Sequence, residues 1–120
     1  MRYFTYDEFD SPDAPGSGYE MHQEFLEMLD DARDIAQVPF VINSGFRTEE
    51  HNRTIPGASP TSSHLVGWAA DIRATTSNRR WLVIEALIQV GFTRIGVADT
   101  FVHVDCDPAK VKAKNVMWLY

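Results

Sequence analysis

Apolar positions along the chain recur with two different periods. Over residues 20–37, Met21, Phe25, Met28, Leu29, Ala32, Ile35 and Ala36 return every three or four positions, which predicts an amphipathic helix. Its other face carries Glu20, Glu24, Glu27, Asp30, Asp31 and Asp34, the composition of a solvated surface. A second helix is predicted over 79–90, capped by Ser77 or Asn78, with Leu82, Ile84, Ala86, Leu87 and Ile88 on its apolar side and Gly91 at its end. Short runs at 40–44, 68–73, 92–97 and 101–106 read as strands, the last two joined as a hairpin through Ala98, Asp99 and Thr100. Alternation divides Val102, Val104 and Cys106 from Phe101, His103 and Asp105. It also divides Trp68, Ala70 and Ile72 from Ala69 and Asp71. The apolar sets belong to the core, so His103, Asp105 and Asp71 project from the opposite face.

Between these elements the pattern is irregular. Residues 1–19 form an N-terminal arm, with Phe4 and Phe9 as its anchors and a Pro- and Gly-rich loop behind them. Pro39 ends the first helix, and Thr48 caps a short helix with Glu49 and Glu50 in its first turn. Residues 53–63 are loop by composition and deliver His64 by a flexible approach. The apolar tail from Val116 to Tyr120 reads as an edge strand whose partner the pattern does not name.

Composition narrows this to one α+β domain over residues 1–120. The 120 residues are 44% hydrophobic and 23% charged, enough for a core without disulfides. A formal charge of −6 argues against nucleic-acid binding, which depends on neutralising phosphates. The single cysteine, Cys106, falls on the apolar side of its strand and is expected to be packed. No apolar stretch is long enough to span a bilayer, and Met1 to Glu8 lack the apolar run of a signal peptide. The expectation is a chain made in the cytoplasm and not inserted into a membrane.

The chemistry concentrates in two stretches. His64 and Asp71 stand seven residues apart across Gly67, and His103 lies on the polar face of its strand. Imidazole nitrogens and a carboxylate oxygen suit zinc, whose catalytic sites combine three protein ligands with an open position. His22 and His51 lack such company.

Ser62, His64, Gly67, Ala69 and Asp71 fit S-x-H-x-x-G-x-A-x-D, and residues 101–105 read Phe-Val-His-Val-Asp. Together with Ser44-Gly45-Phe46-Arg47 and His51-Asn52, they resemble the zinc D-alanyl-D-alanine carboxypeptidases and L-alanyl-D-glutamate endopeptidases over residues 21–106. The resemblance implies the hedgehog/D,D-peptidase fold, a small antiparallel sheet flanked by helices, with Zn²⁺ on His64, Asp71 and His103. It implies Arg47 facing the substrate as a fork for a carboxylate or oxyanion. Ser62 supports the site by hydrogen bonding. Relatives place a carboxylate a few residues before the last histidine, some with another histidine two before it, where this chain has Thr100 and Phe101. Asp99 is the preferred general base and Asp105 its rival, with a role orienting a ligand or pairing with Arg47 as Asp105's alternative. The implied activity is hydrolysis of peptidoglycan peptide stems, foremost as an L-alanyl-D-glutamate endopeptidase of the phage lysis type. The D-alanyl-D-alanine carboxypeptidase is the alternative, and a non-catalytic zinc-stabilised binding module is the competing class. Such a protein, expected as a monomer, reaches the wall through lysis or inside a virus particle.

Overall fold

The computed structural model describes residues 1–109 and 112–120. Its helices are α1 (Gln23–Ala36), α2 (Glu49–Arg53) and α3 (Ser77–Gln89); its strands are β1 (Ile42–Ser44), β2 (Ala69–Arg73), β3 (Arg94–Val97), β4 (Phe101–Asp105) and β5 (Val116–Leu119). Single 3₁₀ turns occupy Tyr6–Phe9, Ser17–Glu20 and Ser63–Val66. The strands lie in the order β1-β2-β4-β3-β5. The fold is α+β, as expected, and none of the described helices is long and apolar enough to cross a membrane.

Helix and strand ends depart from the sequence pattern for local reasons. α1 stops at Ala36 because Gln37 takes a left-handed conformation and its N–H bonds back to Arg33 O, so the chain has turned before Pro39. α3 begins earlier than expected, because the cap is Thr76, whose side chain accepts from Arg79 N, rather than Ser77 or Asn78. Thr48 caps α2 as predicted, accepting from His51 N.

Four strands pair antiparallel, but the sheet is mixed rather than wholly antiparallel because β5 runs parallel to β3. β5 packs closely on β3 at Gly96, which pairs with Trp118. A Cβ at Gly96 would lie 2.7 Å from Trp118 Nε1 and 2.7 Å from Tyr120 Cε2, so the two rings occupy the space a side chain would need.

The core lies on one face of the sheet. Phe25, Leu26 and Leu29 of α1 and Val83 and Leu87 of α3 join Ala70, Ile72, Val102 and Val104 there, all fully buried. Trp68 packs against this cluster and Cys106 does so from the end of β4, where burial pushes its thiol up to about 11. The N-terminal arm belongs to the same core. Phe9 is fully buried and sits so close to Gly45 that an added Cβ would lie 2.7 Å from Phe9 Cα, and Phe9 O accepts from Phe46 N.

The arm is clasped at its other end by Asp30. This carboxylate accepts from the backbone N–H groups of Arg2 and Tyr3 and from Arg2 Nε, at 3.0 to 3.1 Å. Burial opposes its ionisation, but the Arg2 and Tyr3 donors outweigh burial and hold its pKa below the ordinary value. A lowered folded pKa means stability present above about pH 4, where the unfolded carboxyl is ionised, and lost as pH falls through the folded value. Asp30→Asn is expected to cost about 2 kcal/mol near neutrality, in the range of bonds to a charged group. The deficit should shrink toward pH 3 in urea titrations; a pH-independent deficit would contradict the clasp.

Candidate metal centre

β2 and β4 pair so that Asp71 stands opposite His103, and both project from the face away from the helices. The third residue, His64, comes from the Ser63–Val66 turn that precedes β2. The turn is firmly held rather than a flexible approach. Ser62 caps it, its Oγ accepting from His64 N at 3.2 Å, and Arg47 N donates to His64 O. One ligand atom from each of His64, Asp71 and His103 lies within 4.8 Å of the others.

Hydrogen bonds fix which atom each imidazole offers. His64 Nδ1 is 2.7 Å from Gly45 O. A carbonyl only accepts, so Nδ1 carries the proton and Nε2 presents a lone pair. Nε2 is buried, has no hydrogen-bond partner and lies 3.3 Å from Asp71 Oδ1. In His103, Nε2 is 2.7 Å from Asp105 Oδ2 and Nδ1 is 2.8 Å from the same Asp71 Oδ1. Two imidazole nitrogens therefore converge on one carboxylate oxygen, and one of them is an orphan whose burial is costly unless something binds there. That donor set fits a divalent metal such as zinc.

The charges around these atoms are tightly coupled. Burial would raise the Asp71 carboxyl, but the His103 and His64 imidazoles hold it well below the usual carboxylate range. Burial likewise disfavours imidazolium at His103, yet Asp105 and Asp71 outweigh it and raise its pKa. Without a metal the proton is the competing cation.

Arg47 and Asp105 hydrogen-bond to residues of this cluster. Arg47 donates through Nε to Ser44 Oγ at 2.9 Å, through Nη1 to Asn52 Oδ1 at 3.3 Å and through Nη2 to Asp71 Oδ2 at 3.2 Å. Asp105 gives Oδ2 to His103 and Oδ1 to Arg94 Nε at 2.6 Å. With a metal bound it would hold the His103 proton on Nε2 and leave Nδ1 for coordination. Asp105→Asn should weaken zinc binding by about 10- to 100-fold with little change in fold, measured by chelator competition. Wild-type affinity in that variant would remove Asp105 from the ligand support.

Asp99, the preferred base, does not line the cleft. It lies exposed in the β3–β4 turn, where its backbone oxygen accepts from Arg80 Nη2. Alternation fixes the faces of β4 but not how far the turn carries its side chains from them. His22 stacks on Trp68 at 4.1 Å and His51 lies in α2, both outside the cleft.

The cleft over the cluster has a volume of about 460 Å³. The loop from Ile55 to Ser59 and Ser62 line it on one side, while Phe101 and Tyr120, with ring centroids 5.4 Å apart, contribute from the other strands. Sequence reasoning gave Asn52 no role in the site and missed Arg94, Lys112, Trp118 and Tyr120. The aromatic pair in the tail was visible as apolar residues, but nothing in the pattern named β3 as their partner.

A model of the family described as Peptidase M15 matches residues 2–107. No curated protein matches the chain.

Proposed function

Because the chain belongs to the peptidase M15 family, we propose that it is a zinc peptidase acting on the peptide stems of bacterial peptidoglycan. The bond we assign is that between L-alanine and D-glutamate, with the terminal D-alanyl-D-alanine bond as the alternative. The observation that carries the reading is the orphaned His64 Nε2, aimed with His103 Nδ1 at Asp71 in the floor of an open cleft. Those three residues would hold the ion, which when bound supplies Lewis acidity toward a carbonyl and lowers the pKa of water toward about 7.

The chain's own residues prepare that site. Gly45 O and Asp105 each hold an imidazole proton away from the metal-facing nitrogen, and Arg47 fixes Asp71. Asp105 is the cleft carboxylate outside the ligand trio, among the described residues, and we assign proton acceptance to it at Oδ2, beside His103 Nε2. The phage lysis or virion role remains part of the proposal, since it supplies access to the wall.

One observation favours a second reading, a zinc-stabilised binding module: both Asp105 oxygens are already engaged, by Arg94 and His103. Mass spectrometry of defined muropeptides incubated with zinc-loaded protein separates the two. Release of the L-alanine-bearing sugar from the rest of the stem establishes the endopeptidase, and loss of terminal D-alanine the carboxypeptidase. Bound zinc with no product from several wall types establishes the module. Chelator-treated protein must be silent in every case.

A further inference from the structure

One row of paired residues crosses the sheet on the cleft face: Asp71 on β2, His103 on β4, Gly96 on β3 and Trp118 on β5. Because Gly96 has no side chain, its place in that row is taken from β5. Trp118 and Tyr120 lean across it, with ring centroids 5.6 Å and 6.5 Å from that of His103. Tyr120 lines the cleft and is 67% exposed, so a bound substrate can reach it. Its phenol lies within electrostatic reach of Asp71, Asp105 and Arg47, which sets the hydroxyl end of the ring toward the metal-binding cluster.

A peptidase needs a hydrogen-bond donor at such a place. When a peptide carbonyl is attacked its oxygen gains negative charge, and a donor already aimed at that charge lowers the barrier. Arg47, expected in that role, is 9% exposed and directs Nε, Nη1 and Nη2 at Ser44, Asn52 and Asp71. Tyr120 faces the cleft instead. The Trp118 indole N–H is directed at the phenol oxygen. An indole only donates, so that contact leaves the phenol's own hydrogen for another acceptor. Resting on the peptidase reading, we propose that Tyr120 is a catalytic residue whose O–H donates to the carbonyl oxygen of the scissile bond. The proton stays on the tyrosine throughout, and no covalent bond to it forms or breaks. The residue follows β5 directly and lies beyond position 107, where the family match ends. Family residues thus build the floor, and β5 brings the donor across the gap at Gly96.

Tyr120→Phe keeps the ring over Gly96 and removes only the hydroxyl. With defined muropeptides as substrates, kcat is expected to fall at least about tenfold and toward about 100-fold, the cost of losing one such donor, while KM and zinc affinity stay within about threefold of wild type. A second readout needs no turnover. A phosphinate analogue of the bond that the muropeptides show to be cut carries negative charge where the attacked carbonyl would. Calorimetry should find it bound more weakly by Tyr120→Phe by a factor similar to the loss in kcat, with the cleaved peptide product bound equally by both proteins. A smaller loss in kcat, a loss carried by KM or by zinc affinity, or an unchanged phosphinate affinity overturns the assignment to Tyr120 and leaves the peptidase reading standing. Zinc-loaded wild type that cleaves no muropeptide overturns the peptidase reading, and this inference falls with it.

Discussion

Replacement of His64 by alanine is expected to abolish stoichiometric zinc binding and peptide hydrolysis together. His64 is fully buried, and its Nε2 is a buried atom without a hydrogen-bond partner, 3.3 Å from Asp71 Oδ1, that a bound metal would satisfy. Removing it leaves one imidazole and one carboxylate, short of the three protein ligands that a catalytic zinc site uses. Zinc affinity should fall by more than about a thousandfold, judged against the folding energy that zinc coordination ordinarily contributes. The cost in metal-free stability should be small by comparison, because the lost bond from Nδ1 to Gly45 O is offset by removal of the unsatisfied nitrogen. Metal content after dialysis, chelator competition and muropeptide turnover give three readouts. A folded His64→Ala protein with full activity would refute the metal assignment.

Arg47→Ala should unfold the protein more readily rather than only weaken substrate binding. The guanidinium and the Asp71 carboxylate are 3.2 Å apart, with side chains about 10% exposed. Burial lowers the Arg47 pKa, and the Asp71 charge opposes that shift. Breaking a buried pair by deleting one partner costs about 3–5 kcal/mol, because the remaining charge is stranded. Ser44 Oγ and Asn52 Oδ1 lose their donor as well. Arg47→Lys keeps the charge but cannot reach three acceptors with a planar fork, so it should recover only part of the loss. Urea denaturation of metal-free protein measures both. A stability within about 0.5 kcal/mol of wild type, the usual range for surface substitutions, would mean that Arg47 serves the substrate alone.

These two residues show how far a sequence can be read. The convergence of His103 and Asp71 was legible because alternation in β4 assigns His103 to the face opposite Val102 and Val104, and pairing with β2 places Asp71 across from it. The core positions of α1 were legible from their spacing for the same kind of reason. Arg47 was visible as a charged residue beside a turn, but its acceptors Asn52 and Asp71 lie 5 and 24 positions away, and no local pattern encodes that convergence. Thr76 was missed as the α3 cap because Ser77 and Asn78 are equally good caps by type, and only the backbone path chooses among them. The close seat of β5 on β3 was illegible because it depends on an absence, the missing side chain at Gly96, which matters only once Trp118 lies on it.

The strand order also has a consequence for how the protein is made. β4 is the central strand of the sheet, between β2 and β3, although β3 precedes it in the chain. A nascent chain that has emerged as far as β3 holds His64 and Asp71 but has no β4 for β3 to pair with. Only when residues 101–105 leave the ribosome can β3 be joined to the β1–β2 pair, and the third donor arrives on the same strand. A chain terminated before residue 103 is therefore expected to lack the third donor and to bind no zinc at this site.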